Sequence, residues 1–104
     1  MNPDAPQPYQ VSLSGRVFDK VREFAAVATA RGDGAAFLAA LREFDRRLRV
    51  YPQFGDPLID LSDGAGQIRL GIVPPLAMRY AVYEERRLAV VAALPVLLSK
   101  RNSA

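Results

Sequence analysis

The spacing of apolar residues changes character near the start of the chain. In "YQVSLS", Tyr9, Val11 and Leu13 alternate with Gln10, Ser12 and Ser14, the period-two pattern of a half-buried strand. From Gly15 to Arg31 the period lengthens. Val17, Val21, Phe24 and Ala28 recur at intervals of four and three, while Arg16, Asp19, Lys20, Arg22 and Glu23 fall mostly elsewhere around a helix. Ser14 stands where its hydroxyl can accept a bond from an amide of the first turn. "RGDG" then breaks the pattern, with Gly32 suited to the left-handed position after a helix and Asp33 to the N-cap of the next. A second helix is predicted from Gly34 to about Arg49, with Phe37, Leu41, Phe44 and Leu48 along one stripe. So short a connection makes the two helices antiparallel neighbours.

Pro52, Gly55 and Pro57 end the helical pattern, and "IDLSDGAGQ" is predicted as a turn-rich loop that delivers the chain into a sheet. Three strands follow. Ile68, Leu70 and Ile72 alternate with Gln67, Arg69 and Gly71, and "VPP" makes a rigid bend. Leu76, Met78, Tyr80 and Val82 alternate with Ala77, Arg79, Ala81 and Tyr83, and "EERR" turns the chain again. The last strand sets Leu88, Val90, Ala92 and Leu94 against Arg87, Ala89, Val91 and Ala93. The expected fold class is therefore α+β: an N-terminal strand, an antiparallel helical hairpin and a three-stranded antiparallel meander, with the helices packed on one face of the sheet. Residues 1–8 read as a flexible proline-rich lead, 9–98 as a single domain and 99–104 as a basic tail. If Ile68, Leu70, Met78 and Tyr80 face the helices, strand parity sends Arg69 and Arg79 together to the opposite face. Arg87 has the same parity.

Composition narrows the chemistry. A chain of 104 residues has room for one hydrophobic core, and 50% hydrophobic with 24% charged residues is the balance of a globular protein. Fourteen basic against 11 acidic residues give a net charge of +3, a mild excess that permits RNA, DNA or an acidic protein as partner. Cysteine and histidine are both absent. Disulfides, thiolate metal sites, His-dependent hydrolases and most zinc enzymes are thereby excluded; no metal or cofactor is expected, and a reducing cytoplasm is the simplest home. "MNPDAPQPYQ" lacks the charged and apolar regions of a secretory signal. The apolar run Leu88 to Leu98 is too short to cross a bilayer and is broken by Pro95, so no membrane partner is expected.

The order of elements and their local wording resemble the RelE/ParE superfamily of bacterial toxins. "YQVSLSGRVFDKVREF" is similar to the strand, serine-type cap and first helix of that family, and "FLAALREFDRRLRVYPQFGDPL" to its second helix and proline-glycine segment. "QIRLG" and "MRYAVYEERRLAVVAAL" resemble its closing strands. The resemblance spans roughly Tyr9 to Leu94. It implies the toxin half of a type II toxin–antitoxin pair, partnered by a cognate antitoxin: RelE-like members cut messenger RNA on the ribosome, and ParE-like members inhibit DNA gyrase. A third alternative is a degenerate relative that keeps the fold as a non-catalytic interaction module. The family's RNA-cleaving site uses cations and a tyrosine to stabilise charge developing on phosphate, without metal or histidine. Against its "Y-R-x-x-Y" strand motif, with Tyr80 at the closing position, the arginine position falls on Ala77 and the first tyrosine on Leu76. Arg69 and Arg79 are then the candidate catalytic residues. Arg87, Tyr83, Lys100, Arg101, Arg46, Arg47 and Arg49 are the candidate RNA-binding ones.

Each candidate also has a structural explanation. The sheet arginines could hold a phosphate backbone or a partner's carboxylates, or simply lie over Ala77, Ala81 and Ala89 on a solvated face. Arg46, Arg47 and Arg49 end the second helix, where cations complement the helix dipole. Tyr83 could stack on a base or cover aliphatic neighbours. Val91 and Ala93 would make the open face apolar, a surface suited to an antitoxin or to a homodimer. "RGDG" contains a cell-adhesion tripeptide, which its helix-turn role accounts for.

Overall fold

A computed structural model describes residues 7–62 and 64–98. Strand β1 (Gln10–Leu13) leads into helix α1 (Gly15–Ala30). The Ser14 hydroxyl accepts a hydrogen bond from the Val17 amide at 3.2 Å, satisfying a first-turn donor as the sequence predicts. Ser14→Ala should therefore cost about 1 kcal/mol. In a domain of this size that is a fall of roughly 4–8 °C in Tm, readable by thermal denaturation. Gly32 adopts φ 81°, the left-handed geometry expected of it. Asp33 departs from expectation: its side chain makes no capping bond to helix α2 (Gly34–Val50), and its backbone N–H instead closes the end of α1 on the Ala28 carbonyl at 2.8 Å.

A short 3₁₀ turn (Pro52–Phe54) brings the chain to the sheet, and there a strand that the sequence does not predict takes up the end of the proline-glycine segment and the first two residues of the predicted loop. β2 (Asp56–Asp60) pairs antiparallel with β3 (Gln67–Val73). Its sequence hides it for physical reasons. Asp and Pro are poor strand formers, all five residues of this edge strand are exposed, and a register shift between Pro57 and Ile59 interrupts the alternation. β3 is followed by β4 (Leu76–Tyr83), β5 (Leu88–Val91) and β6 (Val96–Leu97). The predicted last strand is thus two, with Pro95 between them. The main path through the sheet runs β1-β5-β4-β3-β2, while β6 pairs with the start of β4. The predicted three-stranded meander is a four-stranded one, β2 to β5, and β1 joins it parallel to β5.

Helix α1 packs on α2, and α2 lies against β1, β3 and β4. The core between helices and sheet includes Val17, Phe37, Phe44 and Leu48 from the helices and Leu76, Met78, Tyr80, Val82 and Val91 from the strands. At its centre the rings of Phe44, Phe54 and Tyr80 meet with centroids 5.5 to 6.1 Å apart. These three rings decide which side of β3 faces inward. A Cβ built on Gly71 would lie 2.7 Å from Phe54, 2.8 Å from Phe44 and 2.9 Å from Tyr80, so only glycine fits beneath them.

The parity of β3 is accordingly the reverse of the one predicted. Arg69 pairs with Tyr80, Gly71 with Met78 and Val73 with Leu76, so Arg69, Gly71 and Val73 face the helices and Ile68, Leu70 and Ile72 face away. β5 is reversed too: Ala89 opposite Val82, together with Val91, is wholly buried on the helix side, and Leu88 and Val90 face away. β4 has the predicted parity. No helix among the described residues is long and apolar enough to cross a membrane.

Candidate functional site

The reversal of β3 separates the two arginines expected to act together. Arg69 lies half-buried on the helix side, where its Nη1 donates to the carbonyls of Gln53 at 2.9 Å and Gly55 at 2.5 Å. These oxygens belong to the proline-glycine segment, whose bends keep them out of the sheet ladder, and the guanidinium satisfies them. Arg79 stands opposite Leu70 on the other face and is exposed. The expected cluster of Arg69, Arg79 and Arg87 on one bare face is therefore not formed.

Arg87 also departs from that face. It occupies the β4–β5 turn at φ 51°, its carbonyl accepts the Gln10 amide at 2.8 Å, and its guanidinium lies 5.2 Å from the centre of the Tyr9 ring. That cation–π contact is on the helix side, since Tyr9 belongs to the core. Tyr83 does share the side of Arg79. Its ring packs against Gly66, where an added Cβ would come within 2.7 Å of it, and Arg86 covers it at 5.8 Å. Val91, expected on the open face, is in the core instead.

The arginines at the end of α2 are matched within the helix. Glu43 accepts from Arg46 at 2.7 and 2.9 Å and from Arg47 at 2.7 Å, and Asp45 accepts from Arg49 at 2.9 Å. The bonds from Arg46, and then those from Arg47, hold the Glu43 carboxyl down at about 2. Arg47 in addition lies over the Phe54 ring at 5.3 Å. Three of the candidate cations thus serve helix and core contacts. Lys100 and Arg101 lie outside the described residues.

Arg69 borders an open cleft of about 700 Å³ lined also by Asp60, Gln67, Val82, Glu84 and Glu85. Gln53, beside it, donates through one amide nitrogen to the Tyr9 hydroxyl and to Glu84, both at 3.0 Å. Three carboxylates face one guanidinium. The cleft lining thus carries more acidic than basic groups, and a phosphate entering it meets like charge. The neighbouring Tyr80 phenol is pushed up to about 12, burial being the chief cause, so it stays protonated at neutral pH and is no general base. The arrangement clamps a turn well and is poorly made for stabilising charge on a scissile phosphate.

Sequence reading missed Asp60 and Glu84 as cleft residues and Gln53 as their neighbour. Gln53 sits in a proline-flanked bend, Asp60 in a stretch read as loop and Glu84 in a charged turn, and none of those settings carries a signal for a cleft. The chain matches no family model, no curated protein and no solved structure.

Proposed function

We propose that this chain is the toxin-derived component of a type II toxin–antitoxin pair, with a fold of the RelE/ParE kind, and that it works by binding protein rather than by cutting RNA. The observation that carries the choice of mode is the division of Arg69 and Arg79 between opposite faces, with Arg69 engaged by two backbone carbonyls. Phosphodiester cleavage without metal or histidine needs several cations converging on one phosphate. The kinship is supported by the succession of strand, serine cap, helical pair, proline-glycine turn and antiparallel strands. The partners on this reading are a cognate antitoxin and, as target, DNA gyrase, which places the protein in the cytoplasm.

Induced expression in a bacterial host tests the proposal. The expected result is growth arrest with transcripts intact, relieved by co-expression of the adjacent reading frame. Transcript cleavage that disappears in the Arg69→Ala/Arg79→Ala variant would replace this reading with that of a ribonuclease. Absence of arrest would remove the toxin reading and leave a non-catalytic interaction module.

A further inference from the structure

We infer that the face of the sheet turned away from the helices binds a second copy of this chain, the two sheets stacking about a two-fold axis that runs along β3. The helices occupy one side only, and the other presents Ile59, Ile68, Leu70 and Ile72 beside Ala77, Arg79 and Ala81. Ile59 is 63% exposed and Ile72 45%, a large apolar area to leave against water.

The partner is identified by the way this face matches itself. Strand registers define two rows across it: Asp56, Leu70, Arg79 and, next to it, Ile59, Ile68, Ala81. A half-turn about β3 exchanges the β2 and β4 positions of each row. Leu70 then meets Leu70 of the second copy, Arg79 meets Asp56, and Ile59 meets Ala81. The last contact sets a protruding side chain over a small one, since Ala81 is only 8% exposed. Neither Asp56 nor Arg79 has an ion pair among the described residues. The long arginine and short aspartate together suit the roughly 10 Å between stacked sheets, and each contact occurs twice because the interface is isologous.

The same charges select the axis. A half-turn about a line crossing the strands at Leu70 would set Arg79 on Arg79 and Asp56 on Asp56, where like charges repel, and one crossing between the two rows would set Arg79 on Ala81 and Asp56 on Ile59, leaving both charges unpaired. Ile59 of β2 facing the small Ala81 of β4, with opposite charges meeting in the same exchange, is the pattern a self-complementary surface requires. Three strands make a small interface, below the roughly 800 Å² per partner of tight complexes, so the dimer forms reversibly with concentration. The argument uses the bare face alone and does not rest on the toxin reading.

Sedimentation equilibrium on the full chain, from about 1 µM to about 1 mM, tests the inference. The expected result is a monomer–dimer equilibrium that Arg79→Asp weakens about tenfold or more, that Asp56→Arg weakens likewise, and that the double exchange Asp56→Arg/Arg79→Asp restores to within about threefold of the original. All three changes are at exposed positions, and circular dichroism verifies that each variant is folded. A monomer across the whole range, single reversals without effect, or a double exchange that fails to restore association would each overturn it. None of those results bears on growth arrest, so the toxin proposal stands or falls separately.

Discussion

Phe44→Ala is expected to lower stability by about 3–5 kcal/mol, near the top of the range for losing a buried aromatic ring. Domains of this size are stable by only about 5–15 kcal/mol, so the variant should be close to unfolding. Phe44 has no exposed surface, and its ring meets Phe54 and Tyr80 edge-on at 5.5 and 6.1 Å. What makes the loss large is the strand beneath. Gly71 offers no side chain that could move into the void, and Phe54 and Tyr80 are held by contacts of their own: Arg47 lies over the first, and the second is hydrogen-bonded through its hydroxyl. A cavity that cannot collapse carries the full penalty of lost packing contacts. Urea unfolding measures it. The midpoint should fall sharply with the slope unchanged, and a loss under about 1 kcal/mol would show that the three rings do not close over Gly71 as described.

The same three rings explain how much of the fold and of the site was legible in the sequence. The helical hairpin was readable because its signals are local: apolar residues at intervals of three and four, a serine at the cap and a glycine at φ 81°. The parity of β4 was readable too, since Leu76, Met78, Tyr80 and Val82 alternate with Ala77, Arg79 and Ala81. β3 misled because size is a poor guide where the core is filled from elsewhere. Phe44 arrives from α2 and Phe54 from the turn after it, and between them they need a glycine beneath, which turns Ile68, Leu70 and Ile72 outward. Arg69 follows Gly71 inward and finds the orphaned carbonyls of Gln53 and Gly55, a use for a guanidinium that no spacing rule announces. The expected arginine cluster depended on that parity and was lost with it. β2 escaped notice because an exposed edge strand with Asp56, Pro57 and a register shift has the composition of a loop.

Tyr80→Phe removes one oxygen and should cost about 2–3 kcal/mol at neutral pH. The Tyr80 hydroxyl donates to the Pro52 carbonyl at 2.6 Å and accepts from the Gly55 amide at 3.1 Å, tying the proline-glycine turn to the middle of β4. Phenylalanine fills the same volume but leaves two buried backbone groups without partners, each costing about 1–3 kcal/mol less whatever relaxation allows. The loss should also depend on pH. Burial chiefly raises the phenol from its ordinary value near 10 to about 12 in the folded protein, outweighing the opposing effects of the Gly55 amide and Arg69. Below pH 10 the phenol is protonated in both states and its contribution is complete. As pH rises past 10 the unfolded chain releases the proton first, so stability declines until the folded group also ionises near 12. Phenylalanine has no proton to release. The gap between the two proteins should therefore narrow by about 1 kcal/mol between about pH 8 and pH 11, as urea unfolding at the two values would show. A gap that stays constant would mean that the hydroxyl reaches solvent, and that the turn carrying Gln53 and Gly55, and with it the position of Arg69, is not anchored through Tyr80.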